Sequence, residues 1–489
     1  MLSCLRFHTK QRHSIGRPYF ASASGPELEG LPRHEGTRLG SPTMWRAVSG
    51  RPGGFGPARL LSRPSLRRCS GGRAAATVSV TPAVGLADQP ARIRVSGLSP
   101  WQEVTLRALA ASEQGSLFEA CAHYRADAAG EVDLSREASR GGGYAGREPM
   151  GLFWSLAPAA MEKPYQRLEP RSVKAPLKVE LSVHRGYSPP GAIPGPVLGQ
   201  TSVERWFTRP DVRKIRLKEG AVRGSLFLPP GNGPFPGVID MFGDEGGLIE
   251  FRSSLLATHG FAALSLPYFN FEDLPKVMED FHLEYFEEAA RFLLRHPKIN
   301  GPGIGVIGTG KGAELALSMM TFLPDVVAAV CISGCSSITA SALHYGKMTL
   351  PGLCFNMSRI RISESGVFDM YEALDDPVDP ANSCSRIPVE KAEGHFLFVV
   401  GEDDRHWKSS LYAKIAIDCL RQHGKDNFKL LSYAGAGHHI NPSFSPVCSV
   451  TLDRILGVPI LAGGESKAHA HAQEHSWGKI LEFLHFHLR

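Results

Sequence analysis

Gly303-Ile304-Gly305-Val306-Ile307-Gly308-Thr309-Gly310-Lys311-Gly312-Ala313-Glu314-Leu315 opens as a short apolar run, passes through a glycine-dense turn and continues to Met320 with helical spacing. Strand, tight turn and helix are the parts of a nucleophile elbow, G-x-S-x-G, where the outer glycines permit a sharp turn whose backbone is otherwise strained. Gly308 and Gly312 hold the outer positions, and Gly310 stands where the serine belongs. The elbow has its shape without its nucleophile. Two other glycine motifs overlap it. Gly305 to Gly312 is one residue from a Walker A loop, but that loop needs Ser or Thr after the lysine to hold magnesium. Gly303-x-Gly305-x-x-Gly308 copies the dinucleotide fingerprint, yet that motif must follow a strand and here would be the strand. A plain glycine-rich turn with no chemistry competes better than either, and the flanking sequence favours the elbow.

Working outward, short apolar strands alternate with helical patterns. Two strands are expected over Ile215 to Leu228, and one over Gly237 to Phe242. A helix over Phe251 to His259 leads to a strand over Ala262 to Leu266, and a helix from His282 to His296 precedes the elbow. Strands at Val327 to Ile332, Phe396 to Val400 and Lys429 to Tyr433 follow, with a last helix from Trp477 to Leu488. Continuous apolar strands alternating with helices imply a mostly parallel sheet covered on both faces. With an elbow in its middle, such a sheet is that of an α/β-hydrolase, in which nucleophile, acid and histidine follow in that order.

The acid is expected just beyond a late strand, where Gly401-Glu402-Asp403-Asp404 stands. Asp404 is preferred to Asp403 and Glu402, since a buried carboxylate there would fix the histidine tautomer and stabilise the imidazolium. Capping of a helix beginning near Trp407 is the competing role for one of the two aspartates. The histidine is expected in Gly435-Ala436-Gly437-His438-His439, with His438 preferred and His439 its rival. Thr309, Ser318, Ser333, Ser336 and Ser337 lack elbow context. One oxyanion donor is expected from the amide after the nucleophile position, Lys311, and another from the loop starting at Phe242 or Gly243. Asp244 and Glu245 in that loop would oppose a developing oxyanion if they point inward. His469, His471 and His475 have neither helix-borne nor knuckle-like metal spacing and are expected on the surface; no metal or cofactor is expected.

The remaining chain divides by texture. Residues 1–76 are rich in Arg, Gly, Ser and Pro. Between Met44 and Ala76 stand seven arginines (Arg46, Arg51, Arg59, Arg63, Arg67, Arg68 and Arg73) and no acid. That composition suits a mitochondrial transit peptide, with a disordered basic arm and a cytosolic protein as the alternative. The net charge of +6 is concentrated there: residues 1–75 hold 13 Lys+Arg against 3 Asp+Glu, and the rest 41 against 45, so nothing argues for nucleic acid. Residues 77–207 show period-two runs at Thr77 to Val80, Arg92 to Val95, Val104 to Arg107, Leu117 to Ala120, Lys178 to Leu181 and, loosely, Leu152 to Trp154. These predict an immunoglobulin-like β-sandwich preceding the hydrolase domain of residues 208–489. No part of the sandwich suggests a site. Nine scattered cysteines without CxxC spacing point to buried thiols in a reducing compartment. No apolar run is long enough to span a membrane.

Several stretches together resemble the acyl-CoA thioesterase / bile acid-CoA:amino acid N-acyltransferase family. They are Gly224-Ser-Leu-Phe-Leu-Pro-Pro230, Phe235-Pro-Gly-Val-Ile-Asp-Met-Phe-Gly243, Leu283-Glu-Tyr-Phe-Glu-Glu-Ala289, Gly310-Lys-Gly-Ala-Glu-Leu315, Gly401-Glu-Asp-Asp404 and Gly463-Gly-Glu465. The likeness spans residues 77–489. It implies a β-sandwich on an α/β-hydrolase domain and hydrolysis of fatty acyl-CoA through a Ser or Cys nucleophile with Asp and His. By motif position these map onto Gly310, Asp404 and His438. A non-catalytic acyl-CoA-binding relative and an acyl-CoA:amino acid N-acyltransferase are the alternatives. The transferase branch uses cysteine, and none stands at this elbow. The expected partner is an acyl-CoA, and the expected state is monomeric.

Overall fold

The computed structural model describes residues 75–192, 194–243, 245–453 and 456–489. The proposed targeting segment, apart from its last two residues, and Asp244 lie outside the described residues.

Eight strands form the central sheet: β1 (Arg213–Glu219), β2 (Val222–Leu228), β3 (Gly237–Met241), β4 (Ala262–Ser265), β5 (Ile304–Thr309), β6 (Val326–Ile332), β7 (His395–Gly401) and β8 (Phe428–Tyr433). Their order across the sheet is β1-β2-β4-β3-β5-β6-β7-β8. β2 runs antiparallel to both its neighbours, and every later pairing is parallel. This is an α/β-hydrolase sheet. All six side-chain positions of β5 are buried. A strand covered on both faces has no polar side to show, which is why it reads as an unbroken apolar run.

Five helices cover the sheet. α2 (Leu283–Arg295), α3 (Lys311–Phe322) and α4 (Ser409–Gln422) share one core cluster with it. α1 (Phe251–Thr258) and α5 (Ser466–His487) share a second. In α2 the buried residues Leu283, Phe286, Ala289, Ala290 and Leu293 recur at three- and four-residue steps, the stripe of a helix with one face inward. Its first turn carries Glu284 and its last Arg295, each matching the partial charge of its end of the helix.

Two elements differ from expectation. Leu152–Trp154 is part of a one-turn helix, Gly151–Trp154, rather than a strand, because all of its side chains are buried instead of alternating. The last helix begins at Ser466, well before Trp477, where the Glu465 side chain accepts from the Lys467 and Ala468 amides and caps it. Its first turns bury His469, Gln473 and Ser476, polar residues that hide the helical period from hydropathy.

Upstream of β1 two sheets face each other. One has three strands (Thr77–Thr81, Arg92–Ser96, Val132–Asp133). The other has six (Val84–Leu86, Val197–Trp206, Leu177–Arg185, Glu103–Ala111, Leu117–Arg125, Ala157–Pro158). Ile93 and Val95 from one sheet and Leu106, Val179 and Val183 from the other meet in a common core. Three strands against six, with a parallel edge pair at Val84–Leu86, is what the described residues establish of the expected immunoglobulin-like arrangement. The sandwich is fastened to the hydrolase sheet through α1 and α5. Asp88 accepts from His259 Nε2 at 2.7 Å and Trp477 Nε1 at 2.8 Å, and Glu148 pairs with Lys467 and His471 at 2.9 Å each. Among the described residues no helix is long and apolar enough to cross a membrane.

Candidate active site

The turn from β5 into α3 is the elbow, and its three glycines are there for different reasons. A β-carbon on Gly308 would stand 2.1 Å from the Gly312 carbonyl oxygen, and one on Gly312 would stand 2.6 Å from that of Met241. Those two positions admit no side chain, because strand, helix and neighbouring strand pass in backbone contact. Gly310, with φ 59° and ψ −122°, has the positive φ that elbows impose on their central residue. Here space is available. A β-carbon on Gly310 would lie 3.4 Å from His438 Nε2 and 3.8 Å from Gly243 Cα. The elbow is formed, and the seat it presents faces the histidine.

The expected acid and histidine meet behind that seat. His438 Nδ1 donates to Asp404 Oδ2 at 2.9 Å, and both residues are 2% exposed. The other Asp404 oxygen accepts from the His406 amide at 3.0 Å and the Trp407 amide at 3.3 Å. One side chain therefore braces the turn after β7 and orients the imidazole, whereas the following helix starts only at Ser409 and has no side-chain cap, so neither aspartate takes the capping role. Asp403 instead accepts from the Gly464 amide, and Glu402 accepts from Ser432 Oγ. The His438 loop is held from outside the pair. Ser333 Oγ donates to the His438 carbonyl at 2.7 Å, which commits that hydroxyl elsewhere than the elbow.

His469 requires a correction. Expected on the surface, it is buried: its Nδ1 accepts from the Gly437 amide and its Nε2 donates to the His439 carbonyl, each at 2.9 Å. α5 runs beneath the loop carrying His438 and turns this ring inward, while His471 and His475 stay exposed. Burial lowers its basicity, matching the neutral tautomer those bonds demand.

The oxyanion side is equally ordered. Lys311 opens α3, and its amide is among those with no intrahelical acceptor. A β-carbon on Gly243 would lie 3.3 Å from that amide nitrogen, so the Gly243 loop packs against the start of α3. Tyr268 Oη donates to the Phe242 carbonyl at 2.5 Å and to that of Gly243 at 3.2 Å, pinning the loop. The Lys311 ammonium is buried, donating to Glu314 at 2.9 Å and to the Thr339 carbonyl at 2.6 Å. Beneath the turn Arg252 donates to Asp240 Oδ1 at 2.6 Å and to Thr309 Oγ1 at 2.7 Å, joining α1, β3 and β5. Thr309 thus points away from the seat.

Glu245, a suspected obstacle, is occupied. It accepts from Arg167 Nη2 at 2.6 Å and from Arg171 Nη2 at 2.8 Å. Arg167 also pairs with Glu169 at 3.0 Å, and its Nη1 donates to His439 Nδ1 at 2.9 Å. Both arginines precede the hydrolase sheet in sequence, in the stretch expected to hold no part of a site. His439 is therefore a member of this network and not the partner of Asp404. Arg167, Glu245, Gly310, His438 and His439 all line one cleft. Cys331 and Cys335 are buried with thiols raised far above their usual range, so neither is a thiolate at neutral pH.

The chain was compared with known proteins. Residues 88–219 match the model described as acyl-CoA thioester hydrolase/BAAT N-terminal region, and residues 281–489 match BAAT/acyl-CoA thioester hydrolase C terminal. Human mitochondrial acyl-coenzyme A thioesterase 2 is 48% identical over 88% of this chain and 89% of its own. Human acyl-coenzyme A thioesterase 1 is 49% identical over 82% and 94%. Mouse acyl-coenzyme A amino acid N-acyltransferase 2 is 46% identical over 83% and 97%. With both halves matched and relatives this similar along most of its length, the chain belongs to the BAAT/acyl-CoA thioester hydrolase family.

Proposed function

We propose that the protein takes acyl-CoA thioesters into the cleft at Gly310 and hydrolyses them to the free acid and CoA, with water in place of a protein nucleophile. The observation that carries this reading is the 3.4 Å between a β-carbon at Gly310 and His438 Nε2, which leaves the imidazole facing room for a hydroxyl-sized group. His438 Nε2 takes a proton from water as the oxygen attacks the thioester carbonyl carbon. Asp404 holds the ring and stabilises the imidazolium that forms. The carbonyl electron pair moves onto oxygen, where the Lys311 and Gly243 amides bind it. Collapse expels the CoA sulfur, which takes the proton back from His438. No acyl-enzyme forms. The pairing of Glu245 with Arg167 and Arg171 supports this, since the nearby carboxylate is already neutralised.

The same reading divides the chain into a targeting segment over 1–76, a sandwich over 77–207 and a hydrolase domain over 208–489. On this reading the protein works in the mitochondrion, which the composition of residues 44–76 and the similarity to a relative named mitochondrial support, and it works as a monomer. The test is steady-state hydrolysis of saturated acyl-CoAs by the native chain, its His438→Ala variant, and the native chain under intact-mass analysis. Turnover that disappears in His438→Ala, with no acyl adduct in the native protein, is expected. Binding without turnover would make the protein a holder of acyl-CoA. An amide product on addition of glycine would make it a transferase.

A further inference from the structure

Between the sandwich and the hydrolase sheet, beside the cleft, lies a largely apolar cavity walled by Phe153, Leu168, Phe207 and Phe251. Arg205, from strand Val197–Trp206 of the sandwich, and His439, from the loop after β8, both line it. Arg205 is 2% exposed. Its Nη2 donates to the Gln89 carbonyl, and its guanidinium carbon lies 5.5 Å from the centre of the Phe153 ring. Nε and Nη1 are buried and have no hydrogen-bond partner among the described residues. Burial lowers the guanidinium to about 10, which leaves it charged at neutral pH. Asp88 opposes that fall, but its Oδ2 accepts from His259 Nε2 and Trp477 Nε1. Glu169, the acid lining the cavity, is paired with Arg167. His439 adds a neutral donor. Arg167 can only donate, so His439 Nδ1 must accept and the ring carries its proton on Nε2, which is also buried and without a partner.

A guanidinium out of water and without a counter-ion is costly, and each unpaired donor adds to the cost. A saturated acyl chain can fill the apolar part of the cavity, yet it offers these nitrogens nothing. Water accepts their hydrogen bonds but brings no charge. A polyphosphate brings more charge than one guanidinium balances. A small monovalent anion meets both needs, with one negative charge against one positive and an acceptor for several N–H groups. We infer that this cavity is an anion site, in which Arg205, with the His439 N–H as a further donor, binds a monovalent inorganic anion of halide size such as chloride. Arg205 precedes the hydrolase sheet and His439 follows its last strand, so the anion fastens the sandwich to the loop that carries His438. The inference does not rest on the reading of the cleft.

The experiment uses the full chain and needs no turnover. Thermal unfolding is followed at constant ionic strength while chloride replaces gluconate, whose hydroxyls would be stranded against apolar walls. Tm is expected to rise by about 1–2 °C for each tenfold increase in chloride above its dissociation constant. Crystals soaked in bromide are expected to show an anomalous peak within hydrogen-bond reach of Arg205 Nε or Nη1. Arg205→Met is expected to lose both the rise and the peak, and a rise that persists in it overturns the inference. Arg205→Lys, which keeps the charge without the fork, serves if the methionine variant does not fold. It is expected to lose at least half of the rise, and full retention overturns the inference. A native Tm indifferent to chloride, or water alone at the guanidinium, overturns it as well. A bromide peak without a chloride-specific rise marks an adventitious ion only and has the same consequence. Stabilisation by acetate but not by chloride gives the site to a carboxylate and overturns it too. Each of these results leaves the cleft reading untouched, since no acyl-CoA is present.

Discussion

Replacing Gly310 with serine is the perturbation that bears hardest on the site. The β-carbon would stand 3.4 Å from His438 Nε2, with Gly243 Cα the next atom at 3.8 Å, both ordinary contacts. The hydroxyl lies one bond farther on, and a rotamer that turns it toward the ring brings it within the ~2.6–3.2 Å reach that proton transfer to a base requires. The positive φ of 59° makes the substitution strained for any side chain, at about 1–3 kcal/mol. Nothing else has to move. In a serine triad the loss of the nucleophile lowers kcat by up to about 10⁶-fold, which bounds the gain from restoring it. A rise of at least about 10²-fold, the lower end of what a positioned base contributes, marks a working hydroxyl.

The assay has three parts: steady-state release of CoA, intact mass after brief exposure to acyl-CoA, and denaturant unfolding. Gly310→Ser should show faster turnover, a transient acyl adduct on residue 310, and slightly lower stability. The double variant with His438→Ala should lose both adduct and turnover. A serine variant that folds and binds acyl-CoA, yet neither acylates nor turns over faster, would refute the geometry argued for the seat and the histidine.

Other perturbations test the frame. Asp240→Ala leaves Arg252 buried without its carboxylate, so stability should fall by about 3–5 kcal/mol in urea unfolding. A loss below about 1 kcal/mol would mean the pair under the elbow is structurally idle. Glu245→Gln in the Gly310→Ser background should not speed CoA release, because Arg167 and Arg171 already neutralise that carboxylate. A tenfold acceleration would show that it does oppose the oxyanion. The buried His469 has its pKa lowered below the usual 6.5. The unfolded chain then binds a proton at a higher pH than the folded one, so this contribution is present above pH 6.5 and is lost as pH falls below it. His469→Gln should remove up to about 1.4 kcal/mol per pH unit from the stability slope below that point. An unchanged slope between urea titrations of the two proteins would show that the ring protonates while folded.

The parts of this molecule that declare themselves in sequence are those with a local cause. β5 up to Thr309 and β7 after His395 are apolar because they are covered on both faces, and α2 shows its stripe because one side meets solvent. Asp404 and His438 follow late strands in a fixed order, and each stands beside backbone that only a loop would allow. What stayed hidden is made by contacts distant in sequence. Arg167 meets Glu245 across 78 residues and His439 across 272. No periodicity marks either pair. His469 reads as a surface residue because its spacing with His471 and His475 suits no metal site. It is buried because its two nitrogens find two backbone partners, which no hydropathy pattern records.

The supports of the site bypass residue 310. Asp404, Ser333 and His469 hold the loop carrying His438; Tyr268 holds the oxyanion loop; Arg252 and the two outer glycines hold the turn. A side chain at 310 would add no support to any of them. Its chemistry is therefore separable from the fold, and glycine there leaves His438 and Asp404 paired at the turn. A protein-borne hydroxyl would divide thioester cleavage into acylation and deacylation, both served by the same histidine. Without it the proposed course is a single stage, attack by water on the thioester itself under the base. The absent group thus decides whether the acyl chain is ever covalently held, while the same cleft, donors and base serve either course.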